Sequence, residues 1–256
     1  MGMLRGGGLT AVLLAAVLAA PQPAAQGLPG VIEEVTPAIV AVGTVARIRQ
    51  PAARFLGTGF AVLDGRHVLT NHHVVPRELD SAHKEALAVF VGQGSRAAAR
   101  RARVVRSDPR HDLALLRIEG APLPAMHLGR SEAVRAGESF AFTGFPIGMV
   151  LGLHPVTHTG IVSSVTPIAI PMGSARSLSP EVIRRLQDPY RVFQLDATAY
   201  PGNSGSPLYD PATGTVVGIV NMVFVKESKE AILEKPSGIT YAIPIRFARE
   251  LVRGVR

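Results

Sequence analysis

The chain has 256 residues, 47% of them apolar, carries neither Cys nor Trp, and has a formal net charge of +8. That length and apolar content exclude a disordered chain and suffice for one large domain or two small ones. The lack of Cys excludes disulfide staples, thiol chemistry and cysteine-rich zinc sites.

Arg5 and the amino terminus precede an apolar run at 9–20, short for a membrane-spanning helix and suited to the core of a signal peptide. Pro21 and Pro23 then break any helix. Residues 1–25 read as a signal peptide, with an uncleaved anchor as the alternative. Either places the rest of the chain outside the cytoplasm: periplasmic, secreted or anchored at the outer face. Residues 31–37 read as a short helical turn stopped at Pro37. Residues 38–46 carry Ile39, Val40, Val42 and Val45 and read as a strand. Residues 57–63 form the next strand, Asp64-Gly65 a hairpin turn, and 67–70 its partner. The stretches 87–92, 102–106 and 112–118 are further strands, and 76–84 is a polar loop with some helical character. Strands at this spacing predict an all-β barrel.

Residues 119–124 contain Gly120, Pro122 and Pro124 and read as a linker. A second strand set follows at 139–143, 156–165, 192–196, 206–209, 216–222 and 239–243, and residues 247–252 read as a short closing helix. The division expected is 26–125 for an N-terminal barrel and 126–256 for a C-terminal one. The stretch 166–190 fits no strand: Pro167, Pro171 and Gly173 interrupt it. Ser179-Pro180 reads as the cap and first position of a helix carrying Val182, Ile183 and Leu186. Lying just before the nucleophile segment, this long stretch is expected to act as a lid or docking element, with an inert surface insertion as the alternative.

Three motifs carry chemistry. Gly202-Asn203-Ser204-Gly205-Ser206-Pro207 places a serine on a glycine-flanked turn, where a substrate carbonyl can approach backbone N–H groups. Upstream, Thr70-Asn71-His72-His73-Val74-Val75 offers histidine at the end of an apolar run, and His111-Asp112-Leu113 offers aspartate at the start of another. A serine hydroxyl needs a base within hydrogen-bond reach, and the base needs an orienting group. His, then Asp, then Ser is the chain order of chymotrypsin-type proteases, unlike that of subtilisins or α/β-hydrolases. No His-Glu-x-x-His pattern occurs, so no catalytic metal is expected, and no cofactor.

With these motifs in place the chain resembles trypsin-like serine proteases of the HtrA/Deg kind. Gly57-Thr58-Gly59-Phe60 is similar to the family's Gly-Ser-Gly-Phe strand, and residues 70–75 to its Thr-Asn-Asn-His-Val-Val. Residues 128–131, 134–138, 144–146, 160–163 and 238–244 resemble its second-barrel pattern. The resemblance implies two six-stranded antiparallel barrels of the chymotrypsin type, packed face to face, with a short C-terminal helix. It settles which histidine matches: His73 as base and His72 as neighbour. Asp112 would orient His73, and Ser204 would be the nucleophile. The N–H groups of Gly202 and Ser204 would form the oxyanion hole, with Asn203 in the turn between them. Family register brings Ala199, Val220 and Met222 to the substrate pocket. Glutamyl endopeptidases, which the Ser206-Pro207 pair resembles, carry Thr and His at the positions of Ala199 and Val220. Here both are apolar, so a charged P1 side chain would lack a partner, and a small, apolar pocket is expected. An alternative is that Val220 only packs in the barrel and the long stretch 166–190 supplies the specificity.

The sequence ends at Arg256, so a protease domain without a PDZ domain is expected. The expected activity is endopeptidase action on unfolded or extended polypeptides in extracytoplasmic quality control. A catalytically silent binding or chaperone module on the same fold is the competing class. Oligomers fit the resemblance. Arg96, Arg100, Arg101, Arg103, Arg106 and Arg110 form one basic run, and Arg246, Arg249, Arg253 and Arg256 another. No aromatic stacking motif interleaves with them as single-strand binders require. No nucleic-acid partner is expected, and association with an acidic membrane surface stays open.

Overall fold

The computed structural model describes residues 27–146, 152–168, 189–221 and 239–255, together with Gly2. The expected leader, the helix starting at Pro180 and Met222 lie outside the described residues.

The strands β1 (Ile39–Val45), β2 (Ala53–Val62), β3 (His67–Asn71), β4 (Ala86–Val91), β5 (Ala98–Asp108) and β6 (Leu113–Ile118) close one barrel in the order β1-β2-β3-β6-β5-β4. A second barrel takes β7 (Ser139–Gly144), β8 (Val156–Pro167), β9 (Arg191–Asp196), β10 (Pro207–Tyr209), β11 (Val216–Asn221) and β12 (Ile239–Pro244) in the order β10-β11-β12-β9-β8-β7. Every neighbouring pair is antiparallel. Helices α1 (Leu28–Val35) and α2 (Ile245–Val252) flank the pair of barrels in sequence. The all-β, two-barrel expectation and the short C-terminal helix both hold.

Side-chain alternation explains why the strands read as near-continuous apolar runs. Val40 and Val42 of β1, Val68 of β3 and Leu116 and Ile118 of β6 join a cluster confined to the first barrel. Their alternating neighbours Ile39, Ala41, Leu69, Leu113 and Leu115 join a different cluster. That cluster also takes Tyr209, Val216, Ile219 and Ile243 from the second barrel and buried residues from both helices. These strands are buried on both faces, which removes the polar half of the usual period-2 pattern. The shared cluster is what holds the barrels against each other, at about 1.5–3 kcal/mol for each large side chain fully buried. Helix α2 adds Ile245, Ala248 and Val252, one buried stripe at helical spacing. The Ser131 hydroxyl accepts the Arg246 N–H (3.1 Å), satisfying a donor that the helix start leaves unpaired.

The structure corrects several boundaries. β5 has 11 residues where 102–106 was expected, because its exposed face is arginine-rich and reads as polar. Residues 76–84 take turns and no helix. Glu85, which follows, accepts the Asp80 N–H (3.0 Å), the Thr44 hydroxyl and the Arg49 guanidinium, pinning the loop to β1. The linker runs back along the β2–β3 hairpin, with Leu123 N–H on Gly65 O and Met126 N–H on Ala61 O, both 2.9 Å. Pro167 of β8 stands opposite Arg191 of β9, and Ile168 N–H donates to Tyr190 O (2.9 Å). The long stretch between them is therefore inserted between two adjacent strands.

Candidate active site

Strands β3 and β6 pair in the first barrel, with Asn71 opposite Leu113. The residues just beyond those paired ends, His73 and Asp112, are thereby brought together. His73 lies in a 3-10 turn, His72–Val74, and its Nδ1–H donates to Asp112 Oδ2 at 2.6 Å. Its backbone N–H donates to Asp112 Oδ1 at 2.8 Å. The carboxylate therefore grips the residue twice and fixes both ring tautomer and ring direction. Asp112 is buried and sits at φ 55°, in the left-handed region. Asp is among the few residues that visit it. That turn directs the Asp112 carbonyl toward the His72 N–H (3.0 Å) and the Asn71 side-chain amide (3.1 Å). His72 faces elsewhere: its Nδ1 lies 2.7 Å from the exposed Ser107 hydroxyl.

The second barrel reaches the same carboxylate. Asn221, at the end of β11 and fully buried, donates its Nδ2–H to Asp112 Oδ2 at 2.7 Å. Sequence reading missed this residue, since nothing local to a strand-end Asn marks it as a partner for an aspartate in the other barrel.

Ser204 is delivered by a tight turn ahead of β10. Asn203 N–H closes the turn onto Tyr200 O at 2.9 Å, with Pro201 second and Gly202 third at φ 105°. Pro followed by a positive-φ Gly is the type II pattern. Gly205 has φ 90°, and a Cβ there would stand 1.9 Å from Thr58 O, so only glycine fits. The nucleophile turn and the histidine segment converge on one face of β2. A Cβ on Gly57 would meet Val74 Cγ2 at 2.7 Å and Ser204 O at 2.9 Å. Among the described residues, no acceptor takes the N–H of Gly202 or of Ser204. Ser204 Oγ makes no hydrogen bond to His73, whose ring bond goes to Asp112.

Ala199 and Val220 are buried in the cluster that fills the second barrel, together with Phe193, Leu195 and Leu208. Neither offers a polar group. Beside them His158 stacks on Phe142 with ring centroids 5.0 Å apart, and burial pushes it below the ordinary histidine value. His111 is engaged structurally: its Nδ1–H donates to Asp108 (2.6 Å) and its ring stacks on Phe247 of α2 at 3.9 Å. Of the basic run, Arg100 donates to Ala121 O, and Arg106 to Leu251 O and Arg253 O, so these side chains make internal bonds.

Residues 57–219 match the family model described as "Trypsin-like peptidase domain". A protein named "Probable periplasmic serine endoprotease DegP-like" from Pseudomonas fluorescens is 33% identical over 203 residues, covering 79% of this chain and 35% of the relative. One of the same name from Pseudomonas savastanoi pv. phaseolicola is 31% identical over 240 residues, covering 91% of this chain and 43% of the relative. The chain thus spans well under half the length of these curated relatives. Among solved structures, "HtrA-type protease AlgW with tripeptide" superposes with a TM-score of 0.64 at 26% identity, covering 90% of this chain and 64% of that one. "HtrA-type protease AlgW with decapeptide" gives 0.64 at 25% identity, covering 89% and 67%.

Proposed function

Because this chain belongs to the trypsin-like peptidase domain family, we propose that it is a serine endopeptidase working through His73, Asp112 and Ser204. The observation that carries this reading is the doubly held His73. The Asp112 carboxylate bonds its Nδ1–H and its backbone N–H, leaving Nε2 as the basic nitrogen of the ring. In the proposed reaction Nε2 takes the proton of Ser204 Oγ as that oxygen attacks the scissile carbonyl. The C–O bond forms, the carbonyl π electrons move to oxygen, and the unclaimed N–H groups of Gly202 and Ser204 receive the oxyanion. One such donor contributes about 3 kcal/mol to transition-state stabilisation. The imidazolium returns the proton to the leaving amine, the C–N bond breaks, and water then hydrolyses the acyl-enzyme by the same relay. Asp112 and Asn221 stay in place throughout, as orienting charge and its support.

The substrates proposed are extended polypeptides, in keeping with the peptides named with the solved relatives. The pocket proposed from Ala199, Val220 and Met222 takes small or medium apolar P1 residues. An extracytoplasmic, periplasmic site fits the relatives' names and the apolar leader, and an oligomer fits the same kinship. The test is hydrolysis of a short quenched-fluorescence peptide by the parent and by Ser204→Ala. The expected result is a loss of at least about 10⁴-fold in kcat with an unchanged circular dichroism spectrum. Retained activity in Ser204→Ala would overturn the assignment.

A further inference from the structure

Four backbone peptides make up the nucleophile turn from Pro201 to Gly205, and two of them are fixed at both ends. The Gly202–Asn203 peptide has its N–H on Tyr200 O (2.9 Å) and its C=O on the Thr58 hydroxyl (2.7 Å). The Ser204–Gly205 peptide has its N–H on Val220 O (2.9 Å) and its C=O on the Thr58 N–H (2.8 Å). The peptides alternating with them supply the two unclaimed N–H groups, those of Gly202 and Ser204. One residue of the first barrel thus holds one end of each fixed peptide. Thr58 is fully buried, and its other bonds leave it little freedom. Its carbonyl accepts the Thr70 hydroxyl (2.7 Å), and its own hydroxyl accepts the Phe145 N–H (3.0 Å). Gly144 lets the hydroxyl lie this close to the chain, since a Cβ there would stand 2.9 Å from Thr58 Oγ1 and 2.0 Å from Ser206 Oγ.

Resting on the protease reading above, we propose that Thr58 is a positioning residue for the oxyanion hole. Its hydroxyl and N–H set the planes of alternate peptides and so aim the donors between them. Without the hydroxyl, the part-buried Gly202 carbonyl and the buried Phe145 N–H both lose this partner. The positive-φ turn at Gly202 can then rotate to recover a partner. The role belongs to the oxygen and not to the shape, so Thr58→Val keeps the volume and loses the function, and Thr58→Ser keeps it.

The experiment compares the full chain with Thr58→Val and Thr58→Ser in steady-state peptide hydrolysis and in amide hydrogen exchange of the segment 200–209. Thr58→Val is expected to lose roughly 100-fold in kcat, the effect of losing an oxyanion donor. KM should stay within about threefold, and exchange in that segment should accelerate. Thr58→Ser should stay within about fivefold of the parent and exchange like it. If Thr58→Val does not fold, Thr58→Cys against Thr58→Ser replaces it, since the two differ only in sulfur for oxygen. A kcat for the hydroxyl-free variant within twofold of the parent, or a Thr58→Ser as impaired as it is, overturns the proposal. A parent without Ser204-dependent hydrolysis would sink the protease reading alone. The exchange data would then decide on Thr58: acceleration upholds the clamp, and unchanged exchange refutes it.

Discussion

Asp112 receives three bonds, two from His73 and one from Asn221 in the other barrel. The His73 ring and backbone hold it from the turn after β3, and Asn221 holds it from a strand end 109 residues away in sequence. His73→Ala should therefore cost at least about 10⁴-fold in kcat. His72→Ala should stay within about fivefold, because that ring faces Ser107. Asn221→Ala should fall between, about 10- to 100-fold down in kcat with KM little changed. Peptide hydrolysis by the three variants checks the ordering; a dead His72→Ala beside an active His73→Ala would contradict it. His73, Asp112 and Ser204 were legible because each sits in a local motif of short range. Asn221 and Thr58 were not, since their bonds cross from one barrel to the other and leave no local pattern. Residue pattern placed Gly57-Thr58-Gly59 on a strand, and only the structure attaches that strand to the Gly202 and Ser204 carbonyls.

At the scale of elements, what could be read depended on burial. β1, β3 and β6 are buried on both faces and announce themselves as apolar runs, and the turn residues between them supply the boundaries. β5 was half-read because its arginines conceal a strand that spans its barrel and pairs with both β4 and β6. The loop at 76–84 was misread as partly helical because its order comes from side chains, chiefly Glu85, and not from backbone periodicity. Glu85 is held at about 2 against an ordinary 4.5, first by the Asp80 N–H, then by the Thr44 hydroxyl and Arg49. A folded value below the unfolded one means that the unfolded chain binds the proton first. The contribution is complete above pH 4.5 and is lost as pH falls from 4.5 toward 2. Glu85→Gln should therefore melt below the parent at pH 7, and the gap should close toward pH 2. A Tm difference that is constant with pH would show that Glu85 acts through shape alone. Gly205→Ala should be costlier and independent of pH. Its Cβ would clash with Thr58 O at a positive φ, at about 3 kcal/mol or roughly 10 °C in Tm, measurable by calorimetry.

Across the whole molecule, the two barrels supply different parts of one proposed machine. The first contributes base, orienting acid and the Thr58 clamp; the second contributes nucleophile, oxyanion donors and the apolar residues Ala199 and Val220. Their shared core holds these halves in register, and Thr58 and Asn221 carry that register to individual atoms. The proposed specificity rests on the apolar character of Ala199 and Val220. With no polar group on Ala199 or Val220, a peptide library should show cleavage after Val, Ala or Leu, and efficient cleavage after Glu would contradict that pocket. The central claim, that Ser204 is a nucleophile activated by His73, is tested most directly by a fluorophosphonate, whose phosphorus is attacked by an activated serine far faster than by an ordinary hydroxyl. Mass spectrometry of the treated chain should find a single phosphonyl adduct on Ser204, absent from His73→Ala and formed in step with the loss of peptide hydrolysis. An unmodified Ser204, or an adduct elsewhere that silences hydrolysis, would contradict the account.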